Sequence, residues 1–157
     1  MDDQLFKKAM SKFTTGVTVI TTKDQDGVHG MTANAFMSVS LDPKLVLISV
    51  HENARMNKRI EQSQKFAVSI LADDQQEMSM YFAGQLKEER DIEFEEFNGY
   101  PVIPDAVVNI TCDVHNAHVE GDHTLYVGAV TDIKINDKDP LTLYSGQYGD
   151  FKAVTSS

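Results

Sequence analysis

Three places in this 157-residue chain gather residue types that could do chemistry. The first is residues 30–41, Gly-Met-Thr-Ala-Asn-Ala-Phe-Met-Ser-Val-Ser-Leu. Thr32, Asn34, Ser38 and Ser40 set short hydroxyl and amide side chains among apolar ones, while Gly30 and Ala33 let a ligand approach the backbone. The same pattern also suits a half-buried strand pair with its polar residues in solvent. The second is His51-Glu-Asn-Ala-Arg-Met-Asn-Lys-Arg-Ile60, where Arg55, Lys58 and Arg59 supply three of the chain's 14 Lys and Arg residues. Asn53 is a residue type that caps helices, and a helix N-terminus with free amides and nearby cations holds anions. A solvated helix face is the plain alternative. The third is Gly121-Asp-His-Thr124, a tight turn whose histidine, His123, can cap a backbone group.

Other reactive residue types exclude more than they offer. Cys112 is the only cysteine, so an internal disulfide and a cysteine-based zinc cluster are ruled out, and a buried, inert thiol is expected. His115 and His118 stand three apart in a strand pattern and so point to opposite faces, and no third ligand accompanies them; no metal site is expected. Nothing in the chain resembles a Ser-His-Asp or Cys-His nucleophile arrangement.

The elements that must position these residues follow from periodicity. Leu5, Phe6, Ala9, Met10 and Phe13 have helical spacing, which predicts an amphipathic helix over residues 3–13. Val17-Thr-Val-Ile-Thr-Thr22 is almost wholly β-branched and predicts a strand, turned back by Asp24-Gln-Asp-Gly27. Leu45-Val-Leu-Ile-Ser-Val50 suits a strand buried on both faces. A helix follows, capped by Asn53, with Met56 and Ile60 on one face. Phe66-Ala-Val-Ser-Ile-Leu71 is another strand. Asp73 and Gln76 resemble a capping box that opens a helix closed by Gly84. Residues 87–97 are charge-dense, with Phe94 and Phe97 as anchors, and are expected to form a surface excursion that could cover a cleft or a subunit edge. Pro101 and Pro104 bracket a turn. A long strand or a bent pair is expected over residues 107–119 and a strand over 125–135, and Leu143-Tyr-Ser-Gly-Gln-Tyr-Gly149 closes the pattern. Successive strands with hairpin signals and few helices predict a small antiparallel barrel in one domain, residues 1–157. Parallel α/β order is missing, as is any Gly-x-Gly-x-x-Gly after a strand, so a Rossmann nucleotide site is not available.

Composition sets the remaining bounds. A net charge of −10 argues against nucleic acid or an anionic membrane as partner. No apolar run approaches the roughly 18 residues of a membrane span. The opening Met-Asp-Asp lacks the basic flank and apolar core of a signal peptide, so a cytoplasmic location is expected.

Ordered motifs across nearly the whole chain resemble the flavin reductase-like family of FMN-binding split barrels. They are Phe6-Lys-Lys-Ala-Met10, Phe13-Thr-Thr-Gly-Val-Thr-Val19, His29-Gly-Met-Thr-Ala-Asn34, Ser38-Val-Ser-Leu-Asp-Pro43, Phe82-Ala-Gly84, Gly121-Asp-His-Thr124 and Tyr144-Ser-Gly-Gln-Tyr148. The resemblance is strongest to the reductase components of two-component aromatic monooxygenases, such as those of phenol 2-hydroxylase and 4-hydroxyphenylacetate 3-monooxygenase. It implies a mainly β fold, a split antiparallel Greek-key β-barrel with a few flanking α-helices. It also implies a homodimer that uses NADH to reduce FAD or FMN for a separate flavin-dependent oxygenase.

Carried over by position, the resemblance implies that Thr32, Ala33, Asn34, Ala35, Ser38, Val39 and Ser40 line the flavin. Asn53, Ala54, Arg55 and Arg59 would meet its phosphate. Phe82, Ala83 and Gly84 would face the flavin, although an ordinary core-facing helix end accounts for them equally well. His123 would be the catalytic contact to the nicotinamide cofactor, with Tyr144, Ser145, Gly146, Gln147 and Tyr148 completing that pocket. Ala54 and Met56 depart from the Ser and Thr that many members carry, which leaves Arg55 more of the phosphate contact. Hydride transfer between stacked rings needs orientation more than side-chain chemistry, and donors near the flavin edge would stabilise the reduced ring. The chain has no basic cluster for a 2′-phosphate, which favours NADH over NADPH. Two rivals remain at this stage. One is a non-catalytic flavin-binding electron carrier or flavin store on the same barrel; the other is a split barrel that has lost flavin and serves as a structural or interaction module.

Overall fold

The β-branched run after Gly16 and the segment beyond Gly27 form a hairpin in the computed structural model, which describes residues 1–155. In chain order the elements are α1 (Asp3–Ser11), β1 (Thr15–Gly16), β2 (Thr18–Asp24), β3 (Gly27–Ala33), β4 (Phe36–Ser40), β5 (Leu45–His51), α2 (Arg55–Ser63), β6 (Lys65–Ile70), α3 (Gln76–Phe82), β7 (Glu95–Phe97), β8 (Tyr100–Val102), β9 (Val108–Glu120), β10 (His123–Ile135), β11 (Leu141–Tyr144) and β12 (Gln147–Asp150). Seven strands form one antiparallel sheet in the order β3-β2-β6-β9-β10-β5-β4. β3 and β4 are the two edges of that sheet, yet only Asn34 and Ala35 separate them in the chain. The sheet must therefore curl until its edges nearly meet, which is a split β-barrel. The pairing of β2 with β6 and of β10 with β5 supplies the non-sequential connections expected of a Greek key. A small sheet of β1-β11-β12 and the β7-β8 hairpin complete the described strands.

Ile20, Ile48, Val50, Phe66 and Val68 fill the barrel, and Met56 and Ile60 of α2 pack into the same core as their spacing predicts. β5 is not buried on both faces. Val46, Ile48 and Val50 are buried while Leu45, Leu47 and Ser49 are half-buried, because a barrel strand presents alternate residues inside and outside. Gly128 in β10 is where the ring of Phe66 crosses the backbone: a Cβ there would lie 2.6 Å from Phe66 Cζ and 2.9 Å from Cys112 Cβ. Cys112 is fully buried, and that burial, with the nearby Asp113 charge, pushes its thiol up to about 12. It is the inert core thiol expected.

The helices form where expected, but α2 and α3 start differently. α1 is capped by Asp2, which accepts from Gln4 N–H at 2.9 Å, and none of its residues is buried. α2 begins behind Ala54 rather than Asn53, because Asn53 N–H donates to His51 Nδ1 and the chain is still turning there. The capping box at Asp73 and Gln76 does not form. Gln75 precedes α3, and its amide accepts from Ala72 N–H and donates to the Pro104 carbonyl, so tertiary contacts replace the local cap. Gly84, with φ of +74°, ends the helix as expected. Pro101 lies inside β8, and the turn before it is made by Asn98 and Gly99, both with positive φ. Phe94 packs with Phe82, and Phe97 packs beside Tyr100 and Val102, so both act as anchors.

Gly128→Ala overpacks the Phe66–Cys112 contact and should cost about 1–3 kcal/mol. Urea unfolding checks this; an unchanged midpoint would mean that Phe66 yields freely.

Candidate functional site

β3 pairs with β2 along one side, from Thr18 opposite Ala33 to Asp24 opposite Gly27, and among the described residues no strand takes its other side. Helices flank it instead. Thr32 Oγ1 donates to the Ser79 carbonyl of α3 at 2.6 Å, and Ser79 Oγ in turn hydrogen-bonds Tyr148 on β12 at 2.7 Å. Two neighbouring cavities, both reached by Ala83, open along the strand. The larger, about 660 Å³, has Val28, His29, Gly30 and Met31 on one wall; Ala54, Arg55, Met56 and Arg59 come from α2, and residues 81–84 and 86–89 close the far side. The smaller, about 280 Å³, is lined by Thr32, Ala33, Asn34, Ser79, Gly146 and Tyr148, among others. Both approach or fall within the size range of small-molecule sites, roughly 300–1,000 Å³. Gly30 is required for the packing of the larger cavity, since a Cβ there would lie 2.5 Å from the Phe82 ring.

The electrostatics of the larger cavity are uneven. Ala54 gives α2 no side-chain cap, so its leading amides keep the positive end of the helix dipole open. Asp24 takes Arg59 Nη1 on one carboxylate oxygen at 3.0 Å and His29 Nε2 on the other at 2.8 Å. The His29 hydrogen bond chiefly holds the Asp24 carboxyl below its usual range, and the Asp26 amide and the Arg59 charge act in the same direction. Arg55 and Lys87 make no ion pair among the described residues. Of the two cleft arginines, Arg55 is therefore the one free to meet an anion. Lys58 is exposed and lines neither cavity, so for it the solvated-face alternative holds.

The structure gathers eleven of the sequence candidates along β3. Thr32, Ala33, Asn34, Gly146 and Tyr148 line the smaller cavity, and Ala54, Arg55, Arg59, Phe82, Ala83 and Gly84 line the larger. The others lie outside both. Ala35 is exposed in the link between the sheet edges, and its carbonyl accepts from Ser49 N–H. Ser38, Val39 and Ser40 belong to β4, the opposite edge. Tyr144 carries the Lys12 ammonium over its ring, Ser145 is held by Lys12 and by the Ser11 carbonyl, and Gln147 is exposed. Asn53 and His123 stand at the barrel end where β5 runs into α2. There His123 Nδ1 donates to Asp122 Oδ1 at 2.8 Å.

Residues the sequence reading did not assign to the site also face the larger cavity: Val28, His29, Tyr81 and Leu86, together with Met31, Met56 and residues 87–89, which it had noted without a ligand contact. His29 sits inside the quoted His29-Gly-Met-Thr-Ala-Asn34 motif, and Lys87 opens the charge-dense stretch. Those were the available signals. Residues 86–89 border the cleft, one of the two places suggested for that stretch.

Residues 10–152 match the family described as "Flavin reductase like domain". The chain is 44% identical over 145 residues to an NADH-dependent flavin reductase of Rhodococcus sp, covering 90% of this chain and 82% of that protein. It is 35% identical over 141 residues to the reductase component of 4-hydroxyphenylacetate 3-monooxygenase from Thermus thermophilus, covering 90% and 91%. Among solved structures, the flavin reductase PheA2 in its native state superposes with a TM-score of 0.95 at 58% identity, covering 98% of this chain and all of that one.

The Asp24 contacts carry a pH signature. A carboxyl depressed on folding adds stability above its unfolded pKa, about 4, and loses it as pH falls through the folded value. The melting-temperature gap between wild type and Asp24→Asn should therefore be open at pH 6 and close under acid, roughly below pH 4. A gap independent of pH would show that Asp24 acts by packing alone.

Proposed function

The chain belongs to the flavin reductase-like family, and from that we propose an NADH-dependent flavin reductase that supplies reduced FAD or FMN to a separate monooxygenase acting on an aromatic compound of phenol or 4-hydroxyphenylacetate type. One observation carries the assignment to this cleft. Small polar residues, Thr32 and Asn34, and an uncapped helix end with an unpaired Arg55 open onto adjoining cavities along one strand.

These residues fit a flavin. The leading amides of α2 and the Arg55 guanidinium would hold its phosphate by charge-assisted hydrogen bonds, with no hydroxyl needed from Ala54 or Met56. Thr32 already donates to Ser79, so its oxygen remains as an acceptor, and Asn34 offers both donor and acceptor at the exposed end of β3. Ala33, Ala83 and Gly84 keep that wall low enough for a flat ring. When bound, the flavin supplies the two-electron acceptor for the nicotinamide hydride. The chain contributes orientation, exclusion of water by Phe82 and Tyr148, and fixed dipoles toward the ring edge. His123 would meet the dinucleotide.

A homodimer and a cytoplasmic location belong to the same proposal. Leu5, Phe6 and Met10 on α1, and Met37, Val39 and Leu41 on or beside β4, are 46–79% exposed. Apolar side chains at an open sheet edge favour cover by a second protomer.

Purified protein should oxidise NADH only when FMN or FAD is present, as followed by nicotinamide absorbance; no turnover with either flavin contradicts the proposal. Arg55→Ala should weaken flavin binding about tenfold, the loss expected for one charge-assisted contact. An unchanged dissociation constant would remove the phosphate from α2. Light scattering should give twice the chain mass, and Met37→Glu combined with Val39→Glu should halve it. A wild-type protein of single-chain mass would refute the dimer.

A further inference from the structure

His51 is the histidine at this barrel end that the proposed chemistry leaves without a role. The β5–β10 register sets it directly opposite His123. The two rings meet edge to face, with centroids 5.1 Å apart and an interplanar angle of 77°. Asp122 lies between them: Oδ1 accepts from His123 Nδ1 at 2.8 Å, and Oδ2 stands 3.8 Å from His51 Nε2. The tautomers follow from the partners. Asn53 N–H donates to His51 Nδ1 at 3.0 Å, so a neutral His51 carries its proton on Nε2, facing Asp122. A carboxylate only accepts, so His123 is protonated on Nδ1 and a neutral ring presents a bare Nε2.

Asp122 is a turn residue with a side chain 68% exposed, and one hydrogen bond would hold it and His123 weakly. His51 adds the restraint. Its proton faces the second carboxylate oxygen, its ring packs on His123, and its own orientation is fixed by the turn that starts α2. That turn is anchored to the same place, since Glu52 N–H donates to the Asp122 carbonyl at 2.8 Å and Ala54 N–H to the His51 carbonyl at 3.0 Å.

We propose that His51 is a positioning residue. Through Asp122 it holds the His123 ring with Nε2 unprotonated, the state that accepts a hydrogen bond from the carboxamide N–H of a nicotinamide dinucleotide. This rests on the proposed role of His123 toward that dinucleotide. It also ties the dinucleotide side of the site to the α2 turn that would hold the flavin phosphate.

Two variants test it in the full chain. His51→Ala removes both contacts, whereas His51→Gln keeps an acceptor for Asn53 and a donor for Asp122. Imidazole nitrogen NMR at neutral pH should show His123 as the Nδ1–H tautomer in wild type and in His51→Gln, and as a tautomer mixture in His51→Ala. In steady-state assays with saturating flavin, His51→Ala should raise KM for NADH about three- to tenfold, the range for one lost hydrogen bond, with kcat held. His51→Gln should restore KM. Unchanged His123 resonances in His51→Ala, or a His51→Gln as impaired as His51→Ala, overturns the proposal. If the resonances shift as expected while His123→Ala leaves KM for NADH untouched, the positioning contact is upheld and the dinucleotide role of His123 falls instead.

Discussion

An edge strand leaves half of its amides and carbonyls without a partner in the sheet, and the protein must cover them or use them. In this barrel that constraint falls on β3. Two residues, Asn34 and Ala35, are all that separate it from the opposite edge, so the sheet is drawn round but not sealed. Helices α2 and α3 approach β3 from either side without pairing to it. The space between them and the strand is the cleft, and its composition follows from what such a seam tolerates. Gly30 lets Phe82 lie on the backbone, Thr32 ties the strand to α3, and Ala33 keeps the wall low.

Charge is distributed along the seam with a clear division of labour. A chain of net charge −10 repels anions on average. The α2 terminus reverses that locally, because Ala54 leaves its amides uncapped. Asp24 then determines which arginine is available, since it engages Arg59 together with His29, while Arg55 makes no ion pair among the described residues. Asp24 sits on the hairpin that begins β3, so the same turn that shapes the strand also stiffens the cationic wall beside it. The split barrel is thus the cause of the site as well as its scaffold.

Much of this was legible in the sequence. The β-branched run at residues 17–22, the turn at Gly27 and the long strands on either side of Gly121 were readable because each obeys a local rule. A family motif marked β3 directly, and the cluster of Arg55, Lys58 and Arg59 in an acidic chain pointed to the α2 terminus. What could not be read was anything decided by partners distant in sequence. Asn53 has the chemistry of a helix cap, but His51 takes its amide. Gln75 reaches Pro104, and the capping box is lost. Ser38, Val39 and Ser40 line neither cavity, because they belong to β4, the other edge of the curled sheet. His29 and Lys87 face the cleft for reasons of register and loop path that no spacing encodes.

The central claim is that the seam along β3, between α2 and α3, is where the flavin binds. A crystal structure of the protein with bound FMN or FAD tests it most directly. The expected result is a ring lying along residues 30–34 with its phosphate at the α2 amides and Arg55. Flavin bound elsewhere, with the seam along β3 empty, would contradict the account.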